Sequence, residues 1–253
     1  MSGFHGDHIP TKLTTRKGIE PMATEISHEL VELYTKLRTT DVSDALDSMG
    51  IMDRQTMNAE MRPLWEGCWF AGVARTVQLY PSSRVLQPVS YEEYDSSYGQ
   101  WTDGSYAWSS EVGQTPDQVW VIDEGGISAG LLGSMNTLEG MAKGVRGYVI
   151  DGVCRDSDEV IMQRGPVCCT SRRPSHVYGR TCKAETDVPI VCAGVHVAAG
   201  DVVVADGDGV VVVPQDIAAE VARRAKLILD KDKVAPLKLY QQMDWDPDES
   251  VTI

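Results

Sequence analysis

Apolar positions along the chain change period several times, and each change marks an element. From about Glu25 to Leu37, Ile26, Leu30, Leu33, Tyr34 and Leu37 recur at i, i+4, i+7, i+8 and i+11, which is one face of a helix. A second helix is expected over Asp41 to Met49, with Thr40 or Asp41 as N-cap, Val42, Ala45, Leu46 and Met49 as its stripe, and Gly50 at its stop. Asp41, Asp44 and Asp47 then form a solvated face. Between Cys68 and Leu79 the pattern turns to that of strands. Gln118–Asp123, Gly147–Val153 and Gly165–Thr170 are short apolar runs bounded by glycine or polar residues. A helix ending near Lys143 separates the first two, and a helical turn at Asp158–Gln163 separates the last two. Val188 to Pro214 is nearly continuous β signal, broken at Gly200-Asp201 and Asp206–Gly209, so a β-meander is expected. In it His196 alternates with valines, as a core or interface histidine would. Ile217, Val221, Ala225 and Ile228 mark a last helix over about Asp216 to Asp230, followed by an acidic, polar tail.

Two stretches fit no period. Residues 1–23 are poor in apolar side chains and read as a flexible arm, leaving 24–253 as one domain. Residues 81–115 hold Tyr91, Tyr94, Tyr98, Trp101, Tyr106 and Trp108 among Ser, Gly, Asp and Gln. A structureless connection of this length is expected to be a lid, a binding loop or an oligomer contact.

Charge narrows the partners. The 253 residues carry a formal net charge of -14, and no Lys or Arg occurs from Leu86 to Ala142. Clustered cations are what nucleic acid and anionic membranes require, so neither is an expected partner. A small anionic substrate would need a local positive site. The six cysteines show no CxxC spacing and read as reduced, mostly buried thiols. With no apolar leader and no run of transmembrane length, a cytoplasmic protein is expected.

Candidate chemistry gathers where strand, helix and strand form a βαβ unit. Arg155 and Asp156 follow the strand beginning at Gly147: a guanidinium fork suits a carboxylate, and an aspartate suits a divalent metal or a water. A solvated turn is the plainer reading of the same pair. Upstream, Gly125-Gly126 and the small residues through Gly133 lead into a helix N-terminus, whose free amides suit an anion. Close helix packing explains these glycines equally well. The crossover places the Gly133 loop and the Arg155–Asp156 pair at one sheet edge. Arg172, Arg173 and His176 form a local basic cluster, read as a solvated turn ahead of a substrate contact. Asp206-Gly207-Asp208-Gly209 reads as turn chemistry rather than calcium ligation.

Several segments together resemble a known family: Thr40 to Leu46 with Gly50, Leu131-Leu132-Gly133, Gly144 to Asp156, Gly194 to Asp201, and Asp208 to Pro214. The resemblance is to the ribonuclease E activity regulator A and 4-hydroxy-4-methyl-2-oxoglutarate aldolase (RraA-like) family, from about Leu37 to the last helix. It implies an α/β chain of the swivelling β/β/α type, with N-terminal helices and a C-terminal helix, forming a homo-trimer or homo-hexamer with sites between subunits. Aldolase members imply a lyase acting on a small 2-oxo acid through a metal-stabilised enolate. Asp156 would then ligate Mg2+ or Mn2+, Arg155 would contact substrate and the active water, and the loop of Gly133, Ser134, Met135 and Asn136 would hold the substrate carboxylate. Asp230 or Asp232 of a neighbouring subunit would hold metal waters. Aldolase members carry an acid separated from the Arg-Asp pair by twenty residues, and Ser134 stands there instead; a serine supplies no anionic base. A regulatory protein of the ribonuclease E inhibitor type, or a family enzyme with a changed reaction (hydratase, isomerase or hydrolase), therefore stays open.

Overall fold

The computed structural model of the chain describes residues 26–83, 86–105 and 107–252; the expected arm at 1–23 lies outside them. Helix α1 (His28–Tyr34) is capped by Ser27, whose Oγ accepts from the Leu30 amide at 3.2 Å. Helix α2 (Thr39–Asp47) starts earlier than the apolar stripe suggests. Asp41 reaches back to the Arg38 amide at 3.0 Å and to its guanidinium at 2.9 Å, so Asp41 is buried and paired, not on a solvated face. Strands β1 (Arg62–Pro63) and β2 (Phe70–Pro81) follow.

Within the stretch read as structureless, helix α3 (Tyr91–Ser105) forms, and a 3-10 turn occupies Ala107–Glu111. The start of α3 has a local cause. The Ser90 amide donates to Glu93 Oε2 at 3.0 Å while Ser90 Oγ accepts from the Glu93 amide at 3.2 Å, a reciprocal cap that satisfies two otherwise orphaned donors. Strands β3 (Gln118–Asp123) and β4 (Gly130–Leu132), helix α4 (Ser134–Ala142), strand β5 (Gly147–Cys154), helix α5 (Ser157–Met162) and strand β6 (Val167–Arg172) form the central succession. Strands β7 (Thr181–Thr186), β8 (Ile190–Cys192), β9 (Val195–Val197), β10 (Val202–Asp206) and β11 (Gly209–Val213) lead to helices α6 (Ala218–Asp232) and α7 (Val234–Gln242). Helix α7 takes up much of what reads as a polar tail.

The main sheet runs β1-β6-β5-β3-β2-β10-β11, with β4 beside β5 and β7 beside β2. Strands β2, β3, β5 and β6 are parallel to one another, so their C-terminal ends share one edge. Both faces are covered, which is why these strands read as unbroken apolar runs. Trp120, Ile122, Tyr148 and Ile150 pack on one side; Val119, Val121 and Val149 pack on the other with Phe70 and Val203. Beyond them, Val202, Val204, Val211 and Val213 pack under Tyr34, Leu46, Val221 and Ala225 of α1, α2 and α6. The expected meander divides: β10 and β11 join the main sheet, while β8 and β9 form a separate hairpin on which His196 is exposed. This is the mixed α/β, β/β/α arrangement, with helices at its two ends. All six cysteines are free thiols and only Cys182 is exposed. No helix among the described residues is long and apolar enough to cross a membrane.

Candidate functional site

Strands β4 and β5 lie side by side and parallel, and each runs straight into a short helix. The Arg155 amide donates to Leu132 O at 2.9 Å, which locks the end of one strand to the end of the other. Gly133 and Asp156 consequently touch. A Cβ built on Gly133 would sit 2.4 Å from Asp156 Oδ2, so only glycine admits the carboxylate at this spot. Gly133 is also the N-cap of α4 and supplies no side-chain acceptor, which leaves the first-turn amides of Ser134, Met135 and Asn136 suited to an anion. Ser134 is buried, Asn136 half-buried and Met135 exposed.

Asp156 holds φ +51°, the left-handed region that non-glycine residues enter at a cost of order 1 kcal/mol or more. Its side chain does not cap α5; Oδ1 instead accepts from Arg155 Nε at 3.3 Å. One turn along α5, Glu159 Oε2 accepts a hydrogen bond from Ser134 Oγ at 2.5 Å. An acid therefore reaches the place where the sequence offers only a serine. Its sequence signal is slight: Glu159 stands in the first turn of the helix that follows the Arg155–Asp156 pair.

An open cleft of about 520 Å³ is lined by Arg155, Asp156, Glu159, Arg172, Arg173 and Pro174, among others. Arg172 and Arg173 thus line the cleft, with both side chains exposed. Arg172 Nη2 donates to Leu64 O at 2.9 Å, and Arg173 makes no ion pair among the described residues. His176 is half-buried behind Arg155: its Nδ1 accepts from the Tyr178 amide at 3.0 Å, and the Tyr98 ring of α3 meets it edge-on at 5.2 Å. Burial first, then the charges of Arg155 and Arg180, hold its pKa below the ordinary histidine value. Asp230 and Asp232 lie on α6 and pair with Lys226 and with Arg38, the latter at 3.3 Å; neither lines the cleft of their own chain.

A family model described as Aldolase/RraA (RraA-like) matches residues 39–212. A Halalkalibacterium halodurans protein, named as a candidate 4-hydroxy-4-methyl-2-oxoglutarate aldolase, is 29% identical over 201 residues, covering 78% of this chain and 82% of its own. Among solved structures, an uncharacterized protein from Pseudomonas syringae pv. tomato is 31% identical with a TM-score of 0.67, covering 83% of this chain and 88% of its own. Streptomyces coelicolor RraAS2, described as an unusual member of the RNase ES inhibitor RraA protein family, is 27% identical with a TM-score of 0.68, covering 84% and 98%.

Proposed function

The chain belongs to the RraA-like family, and from that premise we propose that it is a divalent-cation-dependent lyase of small 2-oxo acids, of aldolase or decarboxylase type. The relatives include both proteins named as aldolases and an unusual member of the RNase ES inhibitor RraA protein family. The observation that favours an enzyme here is the Ser134–Glu159 hydrogen bond, which brings a second carboxylate into the cleft beside Asp156 and Arg155.

The donor set fits the cation. Magnesium and manganese take hard oxygen ligands, and magnesium is commonly held by one or two carboxylates while keeping several waters. Asp156 and Glu159 are two such carboxylates on an open cleft, and they are the residues that would hold it. Such a cation supplies Lewis-acid stabilisation of the charge that builds on a keto oxygen as the adjacent C–C bond breaks.

The remaining tasks fall to the chain itself. The α4 amides and Arg155 bind the carboxylate of the 2-oxo acid, the amides through the helix dipole and Arg155 through its terminal nitrogens. Asp156 orients that guanidinium through Nε. Ser134 fixes Glu159 by donating to Oε2, and Glu159 supplies the anionic group that a serine cannot. Arg172 and Arg173, across the cleft, receive an anionic group on the departing half of the substrate. A homo-trimer or homo-hexamer would bring Asp230 or Asp232 of a neighbouring subunit toward the site, and sedimentation checks the assembly.

Pyruvate release from oxaloacetate and from 4-hydroxy-4-methyl-2-oxoglutarate, with magnesium, manganese or chelator, tests the reading. Turnover that requires the metal and collapses in Asp156→Ala supports it; indifference to both removes it. No turnover, together with a ribonuclease co-purifying with the chain, would favour the inhibitor reading that the Streptomyces relative suggests.

A further inference from the structure

Glu124 follows β3 in the chain and has no exposed surface. Neither of its carboxyl oxygens has a hydrogen-bond partner among the described residues. The backbone amides of Leu131 in β4 and Val153 in β5 face the carboxyl and favour its ionised form. Room for the carboxyl comes from Gly152: a Cβ there would stand 2.2 Å from Glu124 Oε2, and the β5–β6 register shifts between Ile150 and Val153 around that glycine. The backbone holds Glu124 as well, since its amide donates to Asp151 O at 3.2 Å.

The location carries the argument. Leu131 is two residues before Gly133, and Val153 is two residues before Arg155. A single buried side chain therefore faces both of the paired strands that carry the two halves of the site, at equal chain distance from each half. A packing role alone would be served by an apolar side chain, without the cost of an unpartnered buried carboxyl.

We propose that Glu124 is a positioning residue: its buried carboxyl group, packed against Gly152 where β4 meets β5, sets the placement of the Gly133 loop relative to the Arg155–Asp156 pair. This deepens the lyase reading and rests on it only for the activity readout. The groups facing Glu124 oppose its ionisation. Asp123 on its own segment and Asp151 on β5 are like charges, and the buried Cys154 and Cys169 thiols of β5 and β6 lie close, with Arg172 facing those two thiols. Burial is the main cause, and the neighbouring carboxylates add to it; together they push the Glu124 pKa up to about 9, against the pull of the two amides. Ionisation would place a buried charge beside Asp123 and Asp151 at the junction of β4 and β5 and shift both strand ends.

The test compares wild type with Glu124→Gln, which keeps shape and neutrality, and follows the amide chemical shifts of Gly133 and Arg155 against pH. In wild type both should move together with a midpoint near 9, and in Glu124→Gln neither should. If a substrate is turned over, kcat/KM in wild type should fall about tenfold per pH unit above that midpoint, as one ionisation dictates, and Glu124→Gln should lack this limb while keeping its neutral-pH rate within about threefold. Amides that titrate identically in both proteins overturn the proposal. So does a variant that changes melting temperature alone and leaves the alkaline limb in place. The amide readout needs no activity, so failure of the lyase reading leaves it intact. Should Glu124→Gln not fold, Glu124→Met provides the same comparison.

Discussion

Strand β5 carries an arginine beside each end, and the two are used in opposite ways. Arg146, just before the strand, is saturated: Nη2 donates to Glu32 Oε1 at 2.5 Å and to Asp117 Oδ1 at 2.6 Å, and Nε reaches the same Oδ1 at 2.9 Å. His28 completes the cluster by pairing with Asp117 Oδ2 at 2.8 Å. His28, Glu32 and Asp117 bring their donor atoms within 4.8 Å of one another, close enough to suggest a metal, yet Arg146 already holds both carboxylates. Arg155, just after the strand, makes one ion pair among the described residues, at 3.3 Å to a carboxylate that is 37% exposed, against 9% for Asp117. The same residue types form a closed clamp at one end and an open site at the other. What separates them is how much of the bonding capacity is already used, and residue identity alone does not show that.

The sharpest way to break the comparison is to remove one acid from each end. Asp156→Ala should lower kcat/KM by about 10²- to 10³-fold, on the scale of losing one transition-state charge partner, while stability changes by no more than about 1 kcal/mol. Asp156 stands at φ +51°, where alanine is no better tolerated than aspartate, so the backbone gain belongs to Asp156→Gly, which should be stabilising by about 1 kcal/mol. A large stability loss in Asp156→Ala would make the pair structural, like its counterpart.

At the closed end the effects should invert. Arg146→Met leaves the buried Asp117 with His28 alone, so urea unfolding should show a loss of about 2 to 3 kcal/mol, and kcat/KM should stay within about twofold. A drop in activity without a drop in stability would erase the distinction between the two ends.

How much of this was legible follows the same division. Gly147–Cys154 is readable because a strand covered on both faces needs an unbroken apolar run, and the helix between β3 and β5 fixes which residues share an edge. Asp41 misleads because a short-range reading assigns helix acids to solvent, whereas Arg38 three residues earlier pairs with it. Helix α3 lacks an apolar period because it is held chiefly by Tyr94, Ser97 and Tyr98 against Tyr178 and His176; its signal was the Ser90-x-x-Glu93 cap. Glu159 is the costliest omission. Its partner Ser134 is 25 residues away and meets it only because β4 and β5 pair.

That contact gives the next prediction. Glu159→Gln keeps an oxygen acceptor for Ser134 Oγ and removes the charge, so stability should be unchanged while kcat/KM falls about 10- to 50-fold and the concentration of magnesium needed for half-activity rises. Ser134→Ala removes only the orienting hydrogen bond and should cost about three- to tenfold. If Ser134→Ala proves more harmful than Glu159→Gln, the serine acts directly and Glu159 merely supports it.

The smallest effect belongs to the closed end and depends on pH. His28 accepts its proton more readily than an ordinary histidine, first because of its hydrogen bond to Asp117 and then because of that carboxylate's charge. A histidine whose folded pKa lies above its unfolded value of 6.5 adds stability that is complete below 6.5 and is lost as pH rises through the raised value. Burial opposes ionisation of Asp117, but its bonds to His28 and Arg146 prevail and hold its pKa below 3.8, so its contribution is present above that value and fades as pH falls through the lowered one. The clamp should therefore be tightest between about pH 4 and 6.5. His28→Gln should flatten the decline in melting temperature above pH 6.5 and, because His28 also helps to lower the Asp117 pKa, weaken the acid side slightly, with Arg146 keeping most of it. The imidazole is largely exposed, so the change should be small and should shrink further in 0.5 M salt. An effect that survives salt undiminished would mean that His28 holds α1 in place by packing rather than by charge.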